Sequence, residues 1–131
     1  MTLRELRQTT LDYVVKSMLA QGKPSMEAST CRYRSGTHNE PLCCAVGFLI
    51  DEDRYDPIME DKSPTVVGQM VPTSNPTWQE IFRTDPDFLK ELQDCHDSAA
   101  VDFKFDDDPF IDGFLRRAKR VAKSYNLSWS Y

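Results

Sequence analysis

Proline pairs constrain this chain more than any other feature. Ser63-Pro64, Asp85-Pro86 and Asp108-Pro109 each put a side chain that can cap a helix directly before a proline, and Asn75-Pro76 repeats the pattern. Proline lacks the N–H that goes unpaired in a helix's first turn, and its fixed φ already suits that turn. The preceding Ser, Asp or Asn accepts from the next free donors. These pairs therefore predict helix starts at Pro64, Pro76, Pro86 and Pro109. After Asp85, Phe88, Leu92, Cys95, Ala99 and Phe103 recur in steps of three and four, which tracks one face of a long helix. After Asp108, Phe110, Phe114, Ala118, Val121 and Tyr125 do the same, widened by Ile111, Leu115 and Ala122. The opposite face holds Asp112, Arg116, Lys119, Arg120 and Lys123.

The N-terminal segment reads as a further helix. Thr2 and Glu5 have capping-box spacing, and Leu11, Val14, Val15, Met18 and Leu19 follow at helical intervals. Gly22 and Pro24 supply a stop, so the pattern predicts a helix over 3–21. Residues 31–34 suit a short strand, and 35–41 are rich in turn formers, which suggests a hairpin or an irregular loop. Residues 42–50 are apolar on every face and should be buried. Periodicity does not separate helix from strand there; Ala45 and Leu49, four apart, favour a short helix. The tail, 127–131, alternates with period two and predicts a small strand.

The fold class expected is mainly α: a single compact domain over residues 1–131 with a minor β-hairpin or short-strand element (α+β). Its 131 residues fit one ordinary domain, large enough to fold without a disulfide or a metal. The expected core is Leu11, Val14, Val15, Met18, Val46, Phe48, Leu49, Phe88, Leu92, Phe110, Phe114, Ala118 and Val121. The longest uncharged apolar run is nine residues, too short to span a bilayer. Charges near the N-terminus stand where a signal peptide needs its apolar core, so the expected location is cytoplasmic, with Cys31, Cys43, Cys44 and Cys95 reduced.

Charge is unevenly distributed. Residues 1–35 carry a net charge of +3, residues 36–112 hold 18 acids against five bases, and residues 113–131 hold five bases and no acid. Direct nucleic-acid binding is disfavoured, because phosphate contacts need a basic footprint. The five cations between 116 and 123 have no aromatic interleaved on their face to stack a base. They suit a solvated helix face, paired with the acidic middle of the same molecule or of a twin in a homo-oligomer.

Four constellations are weighed for chemistry. Cys31, His38, Cys43 and Cys44 are zinc-ligand types within 14 residues, but they lack the two close pairs that close a zinc knuckle. A zinc-stabilised adaptor is therefore an alternative, and no cofactor is expected. Cys43 or Cys44 at a helix start, with His96 between Asp94 and Asp97, would supply a cysteine-dependent hydrolase, since a helix N-terminus stabilises a thiolate and a carboxylate orients the base. No catalytic residue is assigned on this basis. Asp106, Asp107, Asp108 and Asp112 lack the alternating order of a calcium loop. The fourth is the acidic run Asp51, Glu52, Asp53, Asp56, Glu60 and Asp61, opposed by Arg54 alone before Lys62. It is the expected partner-binding surface, because concentrated charge speeds encounter with a basic surface.

Cys31-Arg32-Tyr33-Arg34, Cys44-Ala45-Val46-Gly47-Phe48-Leu49-Ile50-Asp51-Glu52 and Tyr55-Asp56-Pro57 together form a pattern that resembles short uncharacterised bacteriophage and prophage proteins. The resemblance covers about 30 residues and brings no functional residue with it. It implies a small phage protein acting inside a bacterial host. Joined to the acidic middle, it leads to the expectation of a non-catalytic protein that binds, and inhibits or modulates, a host protein with a basic surface, such as a defence component.

Overall fold

A computed structural model describes residues 1–131. Helix α1 (Leu3–Gln21) opens with the capping box: Thr2 Oγ1 accepts from the Glu5 N–H and Glu5 Oε1 accepts from the Thr2 N–H, both at 3.1 Å. It closes on Gly22, whose φ of 72° lies in the left-handed region that glycine adopts freely. Helices α2 (Pro64–Gln69), α3 (Pro76–Thr84) and α4 (Pro86–Asp106) begin at the predicted prolines, capped by Ser63, Asn75 and Asp85. Asp85 is also tied to α1 by Arg7 Nε at 2.6 Å.

The Asp108-Pro109 pair departs from expectation. Helix α5 (Phe110–Ser124) starts one residue later, with Pro109 at the cap position and no capping side chain. The turn before it is already committed to ending α4. Asp107 takes a left-handed φ of 60° and donates its N–H to the Asp102 carbonyl, which also accepts from the Asp108 N–H at 3.3 Å.

Two small antiparallel pairs lie between α1 and α2 in the chain. Strand β1 (Met26–Glu27) pairs with β2 (Thr30–Cys31), and β3 (Arg34–Gly36) pairs with β4 (Pro41–Cys43) with Ser35 opposite Leu42. The short helix expected within 42–50 is present as a 3-10 turn, Val46–Leu49, but the start of the segment belongs to β4. Distant side chains decide this. The Gln21 side chain accepts the Cys43 N–H at 2.9 Å and donates to the Cys43 carbonyl at 2.8 Å, while Gln93 Oε1 accepts the Val46 N–H at 3.1 Å. At Gly47 the turn presses against the backbone of Tyr33: a Cβ there would stand 2.1 Å from the Tyr33 carbonyl oxygen. That same oxygen accepts the Cys44 N–H.

The C-terminal tail forms no strand. The Ser128 N–H donates to Gln8 Oε1 at 2.7 Å, and the Tyr131 hydroxyl donates to Asp12 at 2.7 Å, so the tail lies along α1. One apolar cluster draws on all five helices and the 3-10 turn. Phe88 and Phe114 are its largest fully buried members, and α5 packs on α4 with Gly113 over Ala99. Of the expected core, Phe48 and Val121 are half-buried at its edge and the rest are buried. Leu19 and Phe103, expected on inner faces, are exposed; Phe103 lies where α4 outruns the helix packed on it. No helix is long and apolar enough to cross a membrane.

Candidate functional site

The acidic segment, 51–61, is divided between fastening and display. Asp51 accepts from the Ser74 N–H at 2.7 Å, the Ser74 hydroxyl at 2.9 Å and the Thr73 hydroxyl at 3.0 Å. The Ser74 amide leads in holding its carboxyl below the usual range. Glu60 is the deeper anchor, with a side chain only 8% exposed. It accepts from the Tyr33 and Arg34 backbone N–H groups at 2.8 and 3.2 Å and from the Tyr55 hydroxyl at 2.6 Å. Burial, and then this bond to Glu60, push Tyr55 up to about 12. Asp56 caps the short 3-10 turn Pro57–Met59 through the Ile58 N–H at 3.0 Å.

Glu52, Asp53 and Asp61 are exposed and make no ion pair, and Asp56 makes none beyond its cap. Among them Ile58 is 60% exposed. Arg54 turns back to Asp51 at 3.8 Å and to the Val71 carbonyl at 3.3 Å. The loop is thus pinned at both ends by Asp51 and Glu60 and presents an apolar side chain among unpaired acids. The six acids expected as one surface are four displayed and two structural. No sequence signal separates the two kinds, because the donors on Glu60 lie 26 and 27 residues away.

The cysteines and histidines assemble differently from both sequence groupings. Cys31, His96 and Asp97 place ligand atoms within 4.8 Å of one another, beside a polar cleft of about 360 Å³ lined by Cys31, Tyr33, Asp61, Lys90, Gln93 and Asp97. His38 stays exposed beyond β3, and the Cys44 thiol, fully buried, accepts from the Gly47 N–H. The set Cys31, His38, Cys43 and Cys44 therefore does not form a zinc centre. The set that does gather is unsuited to one. His96 is fully buried; its Nε2 accepts from the Ser25 N–H at 2.9 Å, which leaves the proton on Nδ1 for Asp97 Oδ1 at 2.9 Å. Neither ring nitrogen retains a free lone pair to ligate a metal.

The same bonds bear on the hydrolase alternative. A base for Cys43 or Cys44 needs an open nitrogen, and the Ser25 amide occupies it. Burial pushes the Cys43 thiol up and the Cys44 thiol well above its ordinary value; Cys31 and Cys95 are pushed up to about 12, again by burial first. A nucleophilic thiol needs the opposite shift. The His96–Asp97–Gln93 chain is instead a polar fastening that runs from buried His96 to the cleft, with Gln93 Nε2 donating to Asp97 Oδ1 at 2.9 Å and Gln93 Oε1 accepting from the Val46 N–H. In the sequence, His96 is flanked by the acidic Asp94 and Asp97. Its position four residues after Leu92 and three before Ala99, both on the inner face, is the signal that would have turned it inward. No protein-family model, curated protein or solved structure matches the chain.

Proposed function

We propose that the chain is a non-catalytic binding protein that docks on the basic surface of a host-cell protein and inhibits or modulates it. One observation carries this reading: Glu52, Asp53, Asp56 and Asp61 lack cation partners and share with exposed Ile58 a segment fixed at Asp51 and Glu60. Unpaired acids on a fixed frame keep their charge available for encounter, and an apolar centre with a polar rim is how interfaces are built. The resemblance to small phage proteins supports a partner inside a bacterial host.

Affinity capture from bacterial lysate, compared between the wild type and the triple variant Glu52→Gln, Asp53→Asn, Asp61→Asn, tests the reading. The captured partner should associate more slowly as salt rises, because the Debye length falls from about 10 Å at 0.1 M to about 3 Å at 1 M. The triple variant should lower the on-rate more than it raises the off-rate. A partner captured equally by both proteins and indifferent to salt would overturn it.

A further inference from the structure

The outer face of α4 changes character along its length. Asp87, Lys90, Asp94 and Ser98 make it polar through its first three turns. Val101 and Phe105 then continue the same face, four residues apart, 42% and 63% exposed. Phe103, 44% exposed, stands two residues from each and therefore points to the other side of the helix. Single exposed apolar residues are ordinary, but two stacked on one face at a helix end make a small patch. Around them stand Asp106, Asp107 and Asp108, all exposed and without an ion pair; Lys104 stands among them, and Arg117, paired with Asp102, lines the groove beside Val101. Asp94, two turns before Val101 on the same face, is paired only with Lys90, across an exposed contact of 3.2 Å.

We infer that this end of α4 is a docking surface for a cationic amphipathic helix of a partner protein. Apolar side chains four apart on that helix cover Val101 and Phe105, while its lysines or arginines reach Asp94 on one side and Asp106, Asp107 and Asp108 on the other. Charge argues for this occupant over two others. A second copy of the chain offers its own Val101 and Phe105, but the same aspartates surround them, so like charges would meet across that contact. An anionic lipid surface is repelled by the three consecutive aspartates. The surface stands on a different element from the 51–61 loop, so the inference does not rest on the function proposed above.

The test titrates the ¹⁵N-labelled full chain with a synthetic helical peptide of about 14 residues, built of leucine on one face and lysine on the other and so about 21 Å long. A peptide of the same composition with scrambled order is the control. Amide shifts should concentrate at Asp94, Ser98, Val101 and Phe105 and be absent with the scrambled peptide. Val101→Ser with Phe105→Ser should weaken binding about tenfold, since two exposed side chains lose their apolar cover while the fold keeps its core. Asp106→Asn, Asp107→Asn and Asp108→Asn together should weaken binding at low salt and leave it unchanged at high salt. Shifts centred on residues 52–61, or binding unmoved by the serine pair, would overturn the inference. So would concentration-dependent dimerisation in sedimentation that buries Phe105, or vesicles of anionic lipid shifting the same amides.

Discussion

Residues 26–62 and the helices from α3 to α5 are held together by different physics. In the helical part, local signals and apolar packing agree: proline-led caps start α3 and α4, and Phe88 and Phe114 fill the core with no exposure. In the other part, strands of two and three residues are too short to hold themselves, and side chains fasten backbone instead. Gln21 holds Cys43, Gln93 holds Val46, Glu60 holds Tyr33 and Arg34, and Asp51 holds Ser74. The one buried side-chain polar atom without a partner, Arg34 Nε, is also here. The difference teaches that this chain's carboxylates cannot be read as one surface, because some of them do the work that apolar packing does elsewhere.

Deleting packing should cost most. Phe88→Ala should destabilise by about 4 kcal/mol in urea denaturation, because it opens a cavity beside Tyr125, whose ring stands edge-on to Phe88 at 5.0 Å. Glu60→Ala should cost about 3 kcal/mol, since two part-buried amides and a hydroxyl lose their acceptor together. Hydrogen exchange sharpens the contrast. In the Glu60 variant, amides of β3, β4 and the 51–61 loop should open together while those of α4 and α5 keep their protection; uniform loss would erase the distinction between the regions.

Thiol ionisation gives a third measurement, now within the helical part. Burial raises Cys95, so its contribution is complete below the ordinary thiol value of 9.0 and is lost as pH rises toward about 12. By pH 10 the loss for this one group should be about 1.4 kcal/mol, and Cys95→Ala should flatten the stability profile between pH 9 and 10. Asp51 has the opposite sign. Its lowered carboxyl contributes above the unfolded value and is lost as pH falls through the folded one, so Asp51→Asn should cost about 1 kcal/mol at pH 7 and proportionally less in acid. The smallest effect belongs to the displayed acids: Glu52→Gln, Asp53→Asn and Asp61→Asn should together leave stability within about 0.5 kcal/mol.

What the sequence made legible follows the same division. The boundaries of α1 and the starts of α2, α3 and α4 were readable because cap, proline and first free donor lie within three or four residues of one another. Asp108 failed as a cap because its backbone was already engaged in closing α4. The strand that opens residues 42–50 and the path of the tail were not readable, because their partners, Gln21, Gln8 and Asp12, lie on a helix far away in sequence. The acidic run was visible as charge, but its separation into anchors and displayed groups was not, since that depends on which carboxylates meet the backbone of another segment. Exposure at Val101 and Phe105 was open to a wheel drawn past the inner face of α4; the inner-face reading stopped at Phe103.

Gly47 carries a consequence for how this chain can vary. Its hydrogen fills the only room between the 3-10 turn and the Tyr33 carbonyl, and the obstacle is backbone, which cannot step aside as a side chain can. In a library that samples all twenty amino acids at every position, position 47 should therefore tolerate a single letter, whereas Gly22, with open space around its Cα, should admit asparagine. Homologues far too diverged to share the acidic loop would still be expected to carry that glycine three residues after the amide that bonds Tyr33. The position is an inheritance mark of the crossing itself, independent of whatever surface each descendant uses.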